Sequence, residues 1–164
     1  MNIVQEVLRE HSKAMCDRVV NFVGKDPKRF GELVNAFLKG PYRVTQRAAW
    51  PLSYCVEQHP ELVKPHLRKI IVNLNTPVLH HAVKRNTLRL LLFIDIPKSM
   101  QGIVVDVSFR FLSDPKEPIA VKVFSMEVLS KMAQLQPEIG RELKLIIEDQ
   151  LPYAGPAFLS RARS

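Results

Sequence analysis

Apolar residues recur along this chain at helical spacing, and the recurrence breaks at regular places. In residues 2–23, Val4, Leu8, Met15, Val19, Phe22 and Val23 fall near one stripe, while Arg9, Glu10, Lys13 and Asp17 face away. That pattern predicts one amphipathic helix. Gly24 then reads as its C-cap, and Asp26-Pro27 as an N-cap followed by a proline at the first helical position. The helix so opened runs through Leu33, Val34, Phe37 and Leu38. The next apolar face, Val44, Ala48, Ala49, Leu52 and Val56, predicts a helix to Glu57 with a kink at Pro51. Further helices are expected from Pro60 or Pro65 to Leu74, from about His81 to Asp95, and from Pro97 to Leu112. Ala120–Gln134 and Pro137–Leu151 complete the series. Ile103-Val104-Val105-Asp106-Val107 could form a strand in isolation, but its register places it inside a helix.

The breaks form two series. Leu38-Lys39-Gly40-Pro41, Leu74-Asn75-Thr76-Pro77 and Leu112-Ser113-Asp114-Pro115 each end one helical run with a Leu and place a Pro three residues on. Pro27, Pro60, Pro97 and Pro137 mark the starts of the alternate helices. Seven of the twelve prolines therefore sit at two recurring boundaries, as a repeated helix–turn–helix unit of roughly 35–40 residues requires. Aligning the second helix of each unit puts Ala48, Asn86 and Phe124 in one column, Leu52, Leu90 and Val128 in another, and Val56, Ile94 and Met132 in a third. These are core positions, with Asn86 the misfit.

On these residues the chain resembles the HEAT-repeat family. Leu112-Ser113-Asp114-Pro115 followed by Ile119-Ala120-Val121-Lys122-Val123 is similar to the family's turn and second helix, and Val44-Thr45-Gln46-Arg47-Ala48-Ala49-Trp50 to another second-helix start. The first turn is shorter than that pattern and the second lacks the Asp. The resemblance implies an all-α fold, a right-handed α-α superhelix in the form of a short solenoid of antiparallel helix pairs. The boundaries divide a single domain over 1–164 into a capping helix at 1–24 and helix-pair repeats at 27–58, 60–96 and 97–135. A final helix at 137–151 and a tail at 152–164 follow. In such a solenoid the second helices line the partner-facing surface.

Charge sharpens that expectation. The net charge is +8, and residues 24–114 carry fourteen basic against seven acidic groups, whereas residues 115–152 carry five against six. A basic middle suggests an acidic or polyanionic partner, although a solvated surface also looks like this. On the second-helix face, Arg47, Trp50 and Tyr54 share one side of their helix by i, i+3, i+7 spacing. His81, Lys84, Arg85 and Arg89 fall on the next unit, with Leu88 in the column of Trp50, and Lys122 and Met126 extend the strip into the third. Arginine forks bind carboxylate or phosphate, and Trp or Tyr supplies rigid contact area. The bland alternative packs Trp50 between units and leaves the cations solvated. A protein partner is the first expectation. Nucleic acid is the alternative, through a resemblance to DNA alkylation repeat proteins in architecture only. A glycosylase-like activity would need a carboxylate beside the aromatics, and Glu57 and Asp95, near helix C-termini, read first as capping or solvent-exposed groups.

Other chemistry finds no residues to carry it. The six glycines form no G-x-G or P-loop. The five histidines lack metal spacing, and adjacent His80 and His81 are expected on different helix faces. Cys16 and Cys55 read as small buried hydrophobes. A non-enzymatic protein without cofactor or metal is expected, with no small-molecule substrate evident. The longest uninterrupted apolar run, Leu90–Ile94, is far below the ~20 residues of a membrane span. No signal-peptide core is seen, so the cytoplasm is the expected compartment.

Overall fold

The computed structural model describes residues 1–150 and 155–162, and every regular element among them is helical. The all-α helical-repeat class expected from the sequence is the class adopted. Ile103–Val107 lies inside a helix, Lys98–Ser113. By its internal packing the chain forms two compact units, Met1–Asp95 and Ile96–Ser164.

The first unit opens with α1 (Ile3–Arg9) and α2 (Lys13–Val23) rather than with one helix over 2–23. Glu10 is extended, and the Ser12 hydroxyl accepts from the Met15 N–H, so a second N-cap restarts the helix there. Arg18 of α2 reaches back to Glu6 of α1 and to Glu10 at the break. The apolar stripe continues across both helices, which is why periodicity alone shows one. Gly24 ends α2 at a positive φ of 49° and donates its N–H to Val20 O. The Asp26 carboxylate then caps α3 (Pro27–Lys39) through the Lys28 and Arg29 N–H groups.

The turn into α4 (Tyr42–Gln58) depends on Gly40. A Cβ there would stand 2.6 Å from Ala36 O and 2.7 Å from Val44 Cγ1. The helix runs through Pro51 without stopping. It is the centre of the unit: Val44, Ala48, Ala49, Leu52, Cys55 and Val56 are all buried, and α1, α2 and α3 pack against it. After α4 the chain makes a 3₁₀ segment, Pro60–His66, before α5 (Leu67–Asn73). Pro65 lies within that segment, and a proline there withholds the N–H that an α-helical turn would use. The second turn brings Val78 to a φ of 58° with its side chain in solvent. Beyond it α6 (His81–Leu91) packs on α4.

The second unit pairs α7 (Lys98–Ser113) with α8 (Ile119–Ala133), and α9 (Pro137–Gln150) packs on α8. At its turn, Asp114 accepts from the Lys116 N–H at 2.8 Å. A short helix, α10 (Pro156–Ala162), also lies against α8, with Phe158 buried. Most of the expected tail, 152–164, is therefore helical and docked; its residues 152–154, 163 and 164 lie outside the described residues.

Candidate functional site

Where α4 and α6 pack together, their outer sides meet the start of α2. The column arithmetic that aligns Ala48 with Asn86 also explains why Asn86 is tolerated in the core. Its Nδ2 donates to Ala82 O at 2.9 Å, and its Oδ1 accepts from Ser53 Oγ at 3.3 Å. A buried amide with both ends engaged avoids the desolvation cost of an orphan. That single Ser53 hydroxyl proton is shared between Asn86 Oδ1 and the nearer Trp50 O, at 2.8 Å, while Ser53 Oγ accepts from Arg89 Nη1 at 3.3 Å. A polar seam thus links the two second helices beneath their surface.

Above that seam Arg89 organises the face. Its Nη2 pairs with Glu57 of α4, and its guanidinium lies over the rings of Tyr54, at 4.4 Å, and Phe93, at 5.1 Å. Lys13 Nζ of α2 approaches the Tyr54 ring at 4.7 Å and is itself paired with Asp17. Tyr54 is therefore held between two cations, and the contact with the part-buried Arg89 contributes about 0.5–1 kcal/mol. Trp50 is half-buried, with the His11 ring set edgewise at 5.8 Å.

The sequence-derived residues separate by role. Trp50, Tyr54 and Arg89 come together as above, with Lys84 and Arg85 half-buried and His81 exposed along α6. Arg85 has no carboxylate partner among the described residues. Arg47 turns toward α1, where Nη1 donates to Val7 O at 3.1 Å and Leu8 O at 3.2 Å, closing that helix's C-terminus. Leu88, placed by spacing in the outward column of Trp50, is fully buried, and so is Met126. Lys122 belongs to α8 of the second unit. Lys13, His11 and Phe93 lie outside the aligned second-helix columns, so helical spacing does not point to them. Glu57 was singled out, but its partner Arg89 stands 32 residues along, off the 38-residue column spacing.

The histidines differ from expectation. His80 and His81 do not point apart; their rings meet at 4.2 Å. His80 is the extended N-cap residue of α6, so the helical rule for neighbours does not apply to it. Its Nδ1 accepts the Ala82 N–H at 3.0 Å. Burial, followed by the charges of His81, Arg85 and His11, holds the His80 imidazole below its usual pKa. Glu57, considered for glycosylase chemistry, is committed to Arg89, and Asp95 is exposed. Burial pushes the Cys16 thiol up to about 11 and the Cys55 thiol up to about 12, which suits small core residues. Among the described residues, no three His, Cys, Asp or Glu side chains converge as metal ligands, and no helix is long and apolar enough to cross a membrane.

A family model of the HEAT repeat domain matches residues 3–162. The chain belongs to the HEAT repeat family. No curated protein and no solved structure matches it. Proteins of this family are generally non-enzymatic scaffolds, and HEAT repeats commonly mediate protein interactions.

Proposed function

We propose that this HEAT repeat protein is a non-enzymatic scaffold that holds an acidic segment of a protein partner on the α4–α6 face of its first unit. The observation that supports this most directly is the fixed aromatic–cation set. Tyr54 lies between Lys13 and Arg89, Trp50 stands against His11, and Arg85 beside them lacks a carboxylate of its own among the described residues. Aromatic groups already held in place lose little freedom on binding, so they suit the role of anchors. Arg85 presents a guanidinium fork for a partner carboxylate, and Lys84 extends the positive field along α6, with His81 exposed at the start of that helix. Arg47 and Arg89 act from behind, one bracing α1 and the other bracing Tyr54.

Trp50 is the chain's one tryptophan, so its emission reports on this face. Titration of the full chain with peptides carrying two or three carboxylates beside a Leu or Phe is expected to shift that emission. Arg85→Glu is expected to weaken the response at least tenfold. Binding that survives Arg85→Glu unchanged rules out the face. If duplex DNA shifts the emission, with an affinity that falls steeply with salt, while no peptide does so, the partner is nucleic acid instead.

A further inference from the structure

The second unit carries its own occupied example of a second-helix surface. The sequence of α8 is apolar almost all round, with Ile119, Val121, Val123, Phe124, Met126, Val128, Leu129 and Met132, whereas α4 and α6 turn Tyr54, Glu57, Lys84, Arg85 and Arg89 outward. A helix apolar on every side needs cover on every side. On α8 that cover includes α10. Phe158 and Gly155 lie beside Ile119 and Lys122 near the start of α8, in a cleft of about 400 Å³. Arg161 lies beside Met126, Glu127, Ser130, Lys131 and Gln134 further along, in a second cleft of about 320 Å³. The short helix thus runs in the same direction as α8, with open grooves at both of its ends.

We propose that the outer face of α8 is a helix-binding groove and that the chain's own segment 155–162 occupies it in cis. The partner it stands in for is a short helix with an aromatic anchor and an arginine one turn later. The docked segment defines that chemistry: Phe158 is its one buried residue, and Arg161 Nε meets Glu127 Oε1 at 2.9 Å. The fit at Glu127 is incomplete. That oxygen is buried, yet it receives no hydrogen bond, so the contact with Arg161 is ionic only. A partner arginine approaching along the N–H direction would complete it. Seven residues are too few to hold a helix without the surface beneath them, so the segment is helical only while it is docked. Tethering gives the segment a high local concentration, so an incoming helix must outcompete it. This surface belongs to α8 and α10 of the second unit and does not depend on how α4 and α6 are used.

The test uses the full chain, wild type and Phe158→Ala, with a fluorescent synthetic peptide of this chain's residues 155–164 as the probe. The peptide is expected to bind Phe158→Ala at least tenfold more tightly than wild type, where the groove is filled, and a peptide with the same Phe replaced by Ala is expected not to bind. Arg161→Glu, changed at a half-exposed side chain, serves as the second variant and is expected to admit the peptide as well. In the wild-type chain, amides of 156–162 are expected to exchange faster than those of α8. The proposal is overturned if the peptide binds neither variant, or if it binds wild type and variants equally. It is also overturned if both variants unfold, or if 156–162 is protected as strongly as α8, since α10 is then a fixed part of the core. A concentration-dependent mass from tail exchange between two copies overturns the partner reading in favour of self-association.

Discussion

Replacing Arg89 by alanine removes the ion pair with Glu57, the hydrogen bond to Ser53 Oγ, and the cover over Tyr54 and Phe93. A hydrogen bond to a charged group contributes about 1.5–3 kcal/mol, and the ring contacts add about 0.5–1 kcal/mol. The Glu57 side chain is 35% exposed and recovers water when its partner is lost, which lowers the total. The expected cost is therefore about 2–3 kcal/mol. Glu57→Ala alone leaves Arg89 with its rings and Ser53, so its cost is smaller, about 1–2 kcal/mol. Because the two side chains share one contact, the double variant is expected to cost less than the sum of the singles, by about 1–2 kcal/mol. Urea unfolding followed by Trp50 emission is the appropriate assay, since that residue lies in the same unit as the pair. A coupling within about 0.5 kcal/mol of zero would refute the reasoning and return Arg89 to the free surface as a direct partner contact.

Two further outcomes test the local physics. Gly40→Ala is expected to destabilise the first unit by about 1–3 kcal/mol, because the new Cβ meets backbone at Ala36 and the fully buried Val44; an unchanged urea midpoint would show that the turn can open. The second concerns acid. The folded pKa of His80 lies below its unfolded value of about 6.5, so the unfolded chain binds more protons between the two. Its contribution is complete above the unfolded pKa and is lost as pH falls through the folded one. Burial and then Lys69 lower His66 as well, which adds a loss of the same sign. Stability is expected to fall between pH 7 and 5, and His80→Asn, which keeps a capping acceptor, is expected to flatten part of that slope; an identical slope in the variant would remove His80 from the account.

The helices were legible because their punctuation is local. Pro27, Gly40, Asp114 and Pro137 act through their own backbone and nearest turn, so spacing alone finds them. The break between α1 and α2 was hidden because its signal, Ser12 as a cap, lies within an unbroken apolar stripe. Of the candidate face, Trp50, Tyr54 and Arg89 were found from helical spacing. Their partners were not, because Lys13 arrives from α2 and His11 from the break between α1 and α2. Arg47 shows the limit from the other side: spacing places it beside Trp50, but its long side chain follows the nearest open carbonyls, which belong to α1. The docking of α10 had one sequence sign, the lack of a polar side on α8, and that sign does not say what covers it.

The central position of α4 bears on how the first unit folds. In a simple stack, each repeat touches only its neighbours and can fray from an end. Here one helix receives α1, α2, α3, the 3₁₀ segment and α6. Its loss leaves none of them a complete apolar neighbour. The unit is therefore built to open as a single cooperative block, with hydrogen exchange across α1–α4 sharing one free energy instead of a gradient from the N-terminus inward.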